Sequence, residues 1–111
     1  MDPRLTTTGF GFEGYRIVES LGVVRGISVR SRSIIGSTVA RLQTIVGGNI
    51  TFLTQLCERT REEAFEILLA HAERVGANAV ICVRYDSSEL MPGVSEVLCY
   101  GTAVVLEQAD G

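Results

Sequence analysis

The chain has 111 residues, 46% of them apolar and 21% charged, with only two prolines. That composition suits one compact domain, leaves no room for a second, and excludes a disordered chain. Ten arginines, no lysine and thirteen acids leave a net charge of −3, so there is no basic footprint for a nucleic acid. No stretch approaches the ~18 uncharged apolar residues of a membrane span. The opening MDPRLTTTGF lacks the apolar core of an export signal. Cys57, Cys82 and Cys99 are odd in number and widely spaced, which reads as reduced thiols in a cytoplasmic protein.

Taken in chain order, residues 6–14 are rich in Thr, Phe and Gly and could add a short strand, so that residues 1–14 form an extra strand or assembly arm on a single domain spanning 1–111. A first strand is expected over Tyr15–Ser31, where Ile17, Val23, Val24, Ile27 and Val29 favour extended backbone and Gly22 and Gly26 suggest bulges or a bend. A helix follows, with Ser37 as its cap, Ile35, Val39, Leu42 and Val46 at helical spacing, and Gly47-Gly48 as its stop. The periodicity predicts a second helix over about Leu53–Val75. Its apolar side carries Leu53, Leu56, Cys57, Thr60, Ala64, Ile67, Leu68, His71 and Val75, with Glu58, Glu62, Glu66 and Glu73 opposite. Gly76 and Asn78 end it. Two strands, Ala79–Asp86 and Glu96–Leu106, complete the chain, joined by a turn containing Pro92-Gly93.

The hairpin carries a pattern of its own. Ala79, Ile81 and Val83 are expected on one face and Val80 and Cys82 on the other. In the next strand Leu98, Tyr100 and Val104 oppose Val97, Cys99, Ala103 and Val105. Both faces are then apolar, although a sheet with one wet face should alternate with polar residues. Helices can cover one face only, so a homo-oligomer is expected, with another subunit covering the second.

Chemistry is sparser. Residues 9–14, GFGFEG, match G-x-G-x-x-G, but a strand follows where the dinucleotide fold needs a helix, and the nucleotide reading is rejected. Cys57 and His71 share a helix face but lie ~21 Å apart along it, too far to share an ion. His71 reads instead as a satisfied histidine in an apolar stripe. Cys82 and Cys99 are the weak metal candidates. They meet as diagonal neighbours if Glu89 opposes Val94, and a one-residue slip separates them. Arg84 and Asp86 project from one face and could meet a ligand. Asp86-Ser87-Ser88-Glu89 offers oxygen ligands to a hard cation, or is simply a strand running out into a turn. Arg25, Arg30 and Arg32 make a small basic group around the end of the first strand, a further candidate for a small anion. No nucleophile elbow is present, and no catalytic residue is assigned.

The segments GYRIVESLGVVRGISVRSRS, IVGGNITFLTQLCERTREEAFEILLAHAERVGANAVICVRYDSSE and EVLCYGTAVVLE resemble the YbjQ-like family of small bacterial and archaeal proteins. The likeness runs from about Tyr15 to Glu107, and its most specific pieces are GANAV at 76–80, VRYD at 83–86 and YGTAV at 100–104. The resemblance implies an α+β, dodecin-like β-α-β-β subunit, an antiparallel sheet in the order 1-3-2 with helices on one face, and a ring of five copies. It also brings the family label "putative heavy-metal-binding". The function expected is an oligomeric module binding a metal ion or small ligand at subunit interfaces. The alternatives are an enzyme whose site forms between chains from Arg84, Asp86 and neighbouring acids, or a purely structural ring.

Overall fold

The computed structural model describes residues 2–31, 49–92 and 94–109. After a 3-10 turn at Pro3–Leu5 come β1 (Tyr15–Ser31), α1 (Asn49–Arg74), β2 (Ala79–Met91) and β3 (Val94–Gln108). The three strands form one antiparallel sheet in the order β1-β3-β2, so the fold is α+β with the strand order implied by the family resemblance. The helix expected around Ile35–Val46, its Ser37 cap and its Gly47-Gly48 stop lie outside the described residues.

Each boundary of α1 and β2 has a local cause. Gly76 takes a left-handed φ of 90°. The Gly76 amide donates to the Glu73 carbonyl and the Ala77 amide reaches back to the Ala72 carbonyl, both at 3.0 Å. This double bond ties off the last orphan carbonyls of the helix. Asn78 then acts as a surrogate strand residue. Its side-chain amide donates to the Leu106 carbonyl at 3.0 Å while its Oδ1 accepts the Leu106 amide at 2.8 Å. The chain therefore passes from helix cap to sheet ladder within three residues.

β2 runs to Met91, five residues beyond its expected end at Asp86. The polar run Asp86–Glu89 stays extended because β3 supplies pairing partners out to Val94, with Ser87 opposite Val97 and Ser88 opposite Glu96. Ladder hydrogen bonds override turn-like composition here. At about 3.3 Å per residue a 17-residue strand spans roughly 56 Å, which accounts for a longest dimension of 59 Å.

One face of the sheet packs against α1. Val24, Val80, Val83, Cys99 and Ala103 meet Ala64, Leu68 and Ala72 in the main core. The helix sits so close that a Cβ on Gly26 would run into the Ala64 carbonyl and the Leu68 amide. Gly26 is thus a close-approach position and not a bulge. Of the expected helical stripe, Thr60, Ala64 and Leu68 are buried and Leu56 and His71 partly so, whereas Cys57, Ile67 and Val75 face water. Leu69 and Ala72 are buried in their place, with Phe65 partly covered. The contact follows the 60-64-68-72 line, which drifts around the helix as it crosses a twisted sheet. Glu58, Glu62, Glu66 and Glu73 are exposed, as expected.

The second face carries Ala79, Val104 and Leu106, covered by Leu5 and Phe12 of the N-terminal arm. Residues 6–9 of that arm run beside the outer edge of β2. Thr6 bridges Val80 in parallel, the Thr7 amide donates to the Val80 carbonyl, and the Val83 and Cys82 amides donate to the Thr7 and Gly9 carbonyls. The pairing is a single bridge and not a strand. Farther along, nothing in the described chain covers the free face.

Gly26→Ala should therefore lower the unfolding free energy by about 2–3 kcal/mol, as overpacking against backbone atoms does. Gly11→Ala, where an added Cβ meets open space, should be nearly neutral by the same denaturant titration.

Candidate functional site

The arrangement of potential functional groups turns on one irregularity in β2. Ile81 opposes Thr102, yet Arg84 opposes Tyr100, so Cys82 and Val83 together face Gly101. Cys82 takes a φ of 56°, a left-handed conformation that costs a non-glycine residue about 1 kcal/mol or more. Gly101 makes room, since a Cβ there would press on Val80 and on the Ile81 carbonyl. A bulge of this kind bends the strand and re-aims every side chain that follows.

Its consequences correct the expected faces. Val83 joins Val80 against the helix instead of pointing the same way as Ala79 and Ile81. Tyr85 falls opposite Cys99, and Arg84 and Asp86 fall opposite Tyr100 and Leu98 on the helix-free face. Arg84 and Asp86 do share a face, as their spacing predicted, but no ion pair joins them among the described residues. Arg84 NH1 donates to the Thr8 carbonyl at 2.7 Å and to its own Val83 carbonyl at 2.9 Å, which ties the arm to β2. Asp86 Oδ1 accepts the Ser87 amide at 2.9 Å.

The three cysteines lie in different settings. The expected register holds up to Ile81 opposite Thr102, but beyond the bulge it shifts by one and Glu89 opposes Ser95 and not Val94. Cys99 is fully buried beneath α1, and burial pushes its thiol pKa up. Tyr85 is pushed up to about 12, first by burial and then by the adjoining Cys99 thiol. Cys57 is exposed near the start of α1, at a cavity of about 170 Å³ lined also by Leu56, Thr60, Val97 and the arginines 30 and 61. Among the described residues no group of three or more His, Cys, Asp or Glu side chains is placed to hold a metal ion.

The basic group Arg25, Arg30 and Arg32 is split by the strand's alternation. Arg32 lies outside the described residues. Arg30 points to the helix side, where it pairs with Glu63. The same Glu63 carboxylate accepts the buried Ser28 hydroxyl at 3.0 Å. These bonds, the Arg30 guanidinium foremost, hold the Glu63 carboxyl below the usual glutamate range. Arg25 points the other way. Its backbone amide donates to His71 Nδ1 at 3.2 Å, so the imidazole caps the open edge of β1. That bond leaves Nδ1 as an acceptor and accounts for a histidine on an apolar helix face.

A larger groove of about 430 Å³ lies between α1 and β2, lined by Glu58, Arg61, Glu62, Phe65 and Tyr85. Its charges are mixed and mostly acidic, and it converges on no single group.

Comparison with known proteins agrees with the architecture. The family model described as "Putative heavy-metal-binding" matches residues 4–107. The chain belongs to this family, the YbjQ-like proteins. A UPF0145 protein of Burkholderia lata is 59% identical over 109 residues, covering 98% of this chain and 92% of the relative. A UPF0145 protein of Burkholderia mallei is 57% identical over 103 residues, covering 93% of each chain. Among solved structures, a DUF74-family protein of unknown function from Pediococcus pentosaceus superposes with a TM-score of 0.60 at 19% identity. The match covers 92% of this chain and 96% of that one, and it shows the shared fold.

The Glu63 cluster generates a pH signature. Its folded pKa lies below the value near 4.5 of an unperturbed glutamate, so its stabilisation is present above that value and is lost as pH falls through the lower, folded pKa. The Glu63 side chain is 43% exposed, so solvent screening holds the effect to about 0.5–1 kcal/mol. Glu63→Gln should remove that part of the acid-side slope in unfolding free energy and leave the neutral-to-alkaline profile parallel to the parent.

Proposed function

We propose that the chain is the subunit of an oligomeric binding module, a homopentameric ring that holds a metal ion or small ligand where subunits meet. The observation that carries this reading is the helix-free face. Val23 is 73% exposed, and Ile27, Val29 and Tyr100 beside it are exposed as well. With Leu98 they form an apolar surface on one side of a three-stranded sheet, interrupted by Arg25 between Val23 and Ile27, and still more than a soluble monomer ordinarily leaves in water. The exposed Leu90 and Met91 near the hairpin tip extend the apolar surface along the molecule.

Two further features favour a ring over a twofold dimer. The free face carries Arg25 and Arg84, and an isologous contact through it would bring the arginines of one copy toward those of the other. The outer face of α1, in contrast, carries Glu58, Glu62 and Glu66 around an exposed Ile67. Unlike surfaces on opposite sides of one subunit suit a head-to-tail contact, which closes into a ring when the rotation permits. The family resemblance supports five copies.

The ligand half of the proposal rests on the family description "Putative heavy-metal-binding" and on where donors are missing. The described residues of one chain assemble no metal cluster, so a site for an ion would draw ligands from more than one subunit. Arg84 and Asp86 of the free face and Arg30 beside the 170 Å³ cavity are the groups proposed to meet a small ligand. No helix among the described residues is long and apolar enough to cross a membrane. With three free cysteines, the proposed compartment is the cytoplasm.

Native mass spectrometry of untagged protein purified without chelator should show five copies of the 12.0 kDa chain, with any retained ion or ligand on the oligomer and none on monomer released from it. Val23→Asp should break the assembly, because it places a charge at the centre of the covered surface. A well-folded 12.0 kDa parent at micromolar concentration overturns the proposal.

A further inference from the structure

The register of the sheet aligns three side chains in one row across the helix-free face. Arg25 of β1 opposes Tyr100 of β3, and Tyr100 opposes Arg84 of β2. Residues directly opposite in adjacent strands share a face, with Cβ atoms about 4.5–5.5 Å apart. Because the Arg25 amide turns outward to His71, Arg25 and Tyr100 form a non-hydrogen-bonded pair, the kind whose side chains stand closest. The Tyr100 side chain is thus placed between those of Arg25 and Arg84 at neighbouring ladder positions, on a face that also carries Val23, Ile27 and Leu98.

We infer that the Arg25–Tyr100–Arg84 row is a binding site for a compact oxyanion, a carboxylate or a phosphate monoester, carried on an apolar body. This rests on the binding-module reading and gives it a ligand class. No carboxylate pairs with the Arg25 or Arg84 guanidinium among the described residues, although the chain holds more acids than bases. Arg84 spends NH1 on the Thr8 and Val83 carbonyls, which draws its guanidinium toward the arm at the outer edge of β2, while its Nε and NH2 donors have no partner among the described residues. An oxyanion over Tyr100 would take charge-assisted hydrogen bonds from the Arg25 guanidinium and from the remaining donors of Arg84. The Tyr100 hydroxyl supplies a third donor.

The bulge at Cys82 gives the row a structural cost. Continued without it, the register of Ile81 and Thr102 would pair Val83 with Tyr100 and turn Arg84 toward Cys99 under the helix. A residue held at a φ of 56° is what delivers Arg84 to the free face. Asp86 lies one pleat farther along the same face, opposite Leu98. It leaves the row itself cationic and sets a negative charge at one side, which disfavours ligands carrying a second anionic group there.

Isothermal titration calorimetry of the full chain in low-salt buffer, with inorganic phosphate, phenyl phosphate and benzoate as probes, tests this. Phenyl phosphate or benzoate should bind saturably at one per chain, and more tightly than inorganic phosphate, because the ring lies on the apolar surround. Whichever of the two binds tighter identifies the anion as phosphate or carboxylate. Arg25→Gln and Arg84→Gln should each weaken that binding about tenfold or more. Tyr100→Phe, which keeps the ring, should weaken it several-fold. Arg16→Gln, which removes a distant charge paired with Glu107, should leave it unchanged. Absence of saturable binding, or an equal loss with Arg16→Gln, overturns the site. Light scattering on the same samples separates this from the assembly. A ring that binds none of the probes sinks the anion site alone, and a monomer that binds through Arg25 and Arg84 sinks the ring alone.

Discussion

The approach of the α1 backbone to β1 at Gly26 is the constraint on which the rest of the structure depends. With no side chain at Gly26, the Ala64 carbonyl and Leu68 amide lie directly on the strand. That spacing is too small for any larger residue and fixes helix and sheet in one relative position. The neighbouring polar contacts on either side then follow from it. Toward the start of the helix, Glu63 reaches Ser28 and Arg30. Toward its end, His71 reaches the Arg25 amide at the strand's open edge. Neither bond is strong, as half-exposed pairs seldom contribute more than about 1 kcal/mol. Their role is to set the position of the helix along β1, while the apolar core supplies the stability.

A second constraint acts across the sheet. The extra residue at Cys82 and Val83 changes which residues of β2 face the helix. It puts Val83 and Tyr85 inward and Arg84 and Asp86 outward. Without the shift, a guanidinium would enter a core of valine, alanine and cysteine, where an unpaired charge is far costlier than a strained backbone. The strain at Cys82 is therefore offset within the fold by the burial of Val83. The N-terminal arm takes up the Cys82 and Val83 amides that the bulge turns outward.

The same two constraints explain what could be read from sequence. The extent of β1, the helix, its Gly76 terminus and the hairpin were all legible, because periodicity and turn residues are local signals. So was the acidic outer face of α1. The rotation of the buried stripe toward Leu69 and Ala72 was not, since it comes from the twist of a sheet whose strands lie far apart in sequence. Cys82 looked like an ordinary strand residue, and nothing in AVICVRYD marks a bulge. Simple alternation therefore puts Val83 on the face away from the helix, the opposite of where the bulge carries it. The basic group read along β1 divided between two faces for the elementary reason that neighbours in a strand point in opposite directions. The row that replaces it unites residues 25, 84 and 100, and only strand register brings those together. Arg25 and Arg84 were both visible as candidates. Tyr100 was visible as an apolar face residue, and its place between them was not.

Charge and burial connect the two proposals. Covering the helix-free face with another subunit removes water from Arg25 and Arg84 along with Val23 and Ile27. Desolvating a guanidinium without a partner costs several kcal/mol, enough to cancel the gain from burying two or three aliphatic side chains. A ring that covers this face must therefore supply negative charge to it. The acids of a neighbouring helix can do so at the rim, where they stay partly solvated. The centre of the row, around the Tyr100 hydroxyl, suits an ion small enough to enter with its own shell of donors already in place. If the ring forms through this face, an anion held there would bind the assembled state better than the separated one and so, by mass action, stabilise the ring in proportion to its occupancy. Assembly and ligand binding are then linked equilibria, and each strengthens the other by the same factor.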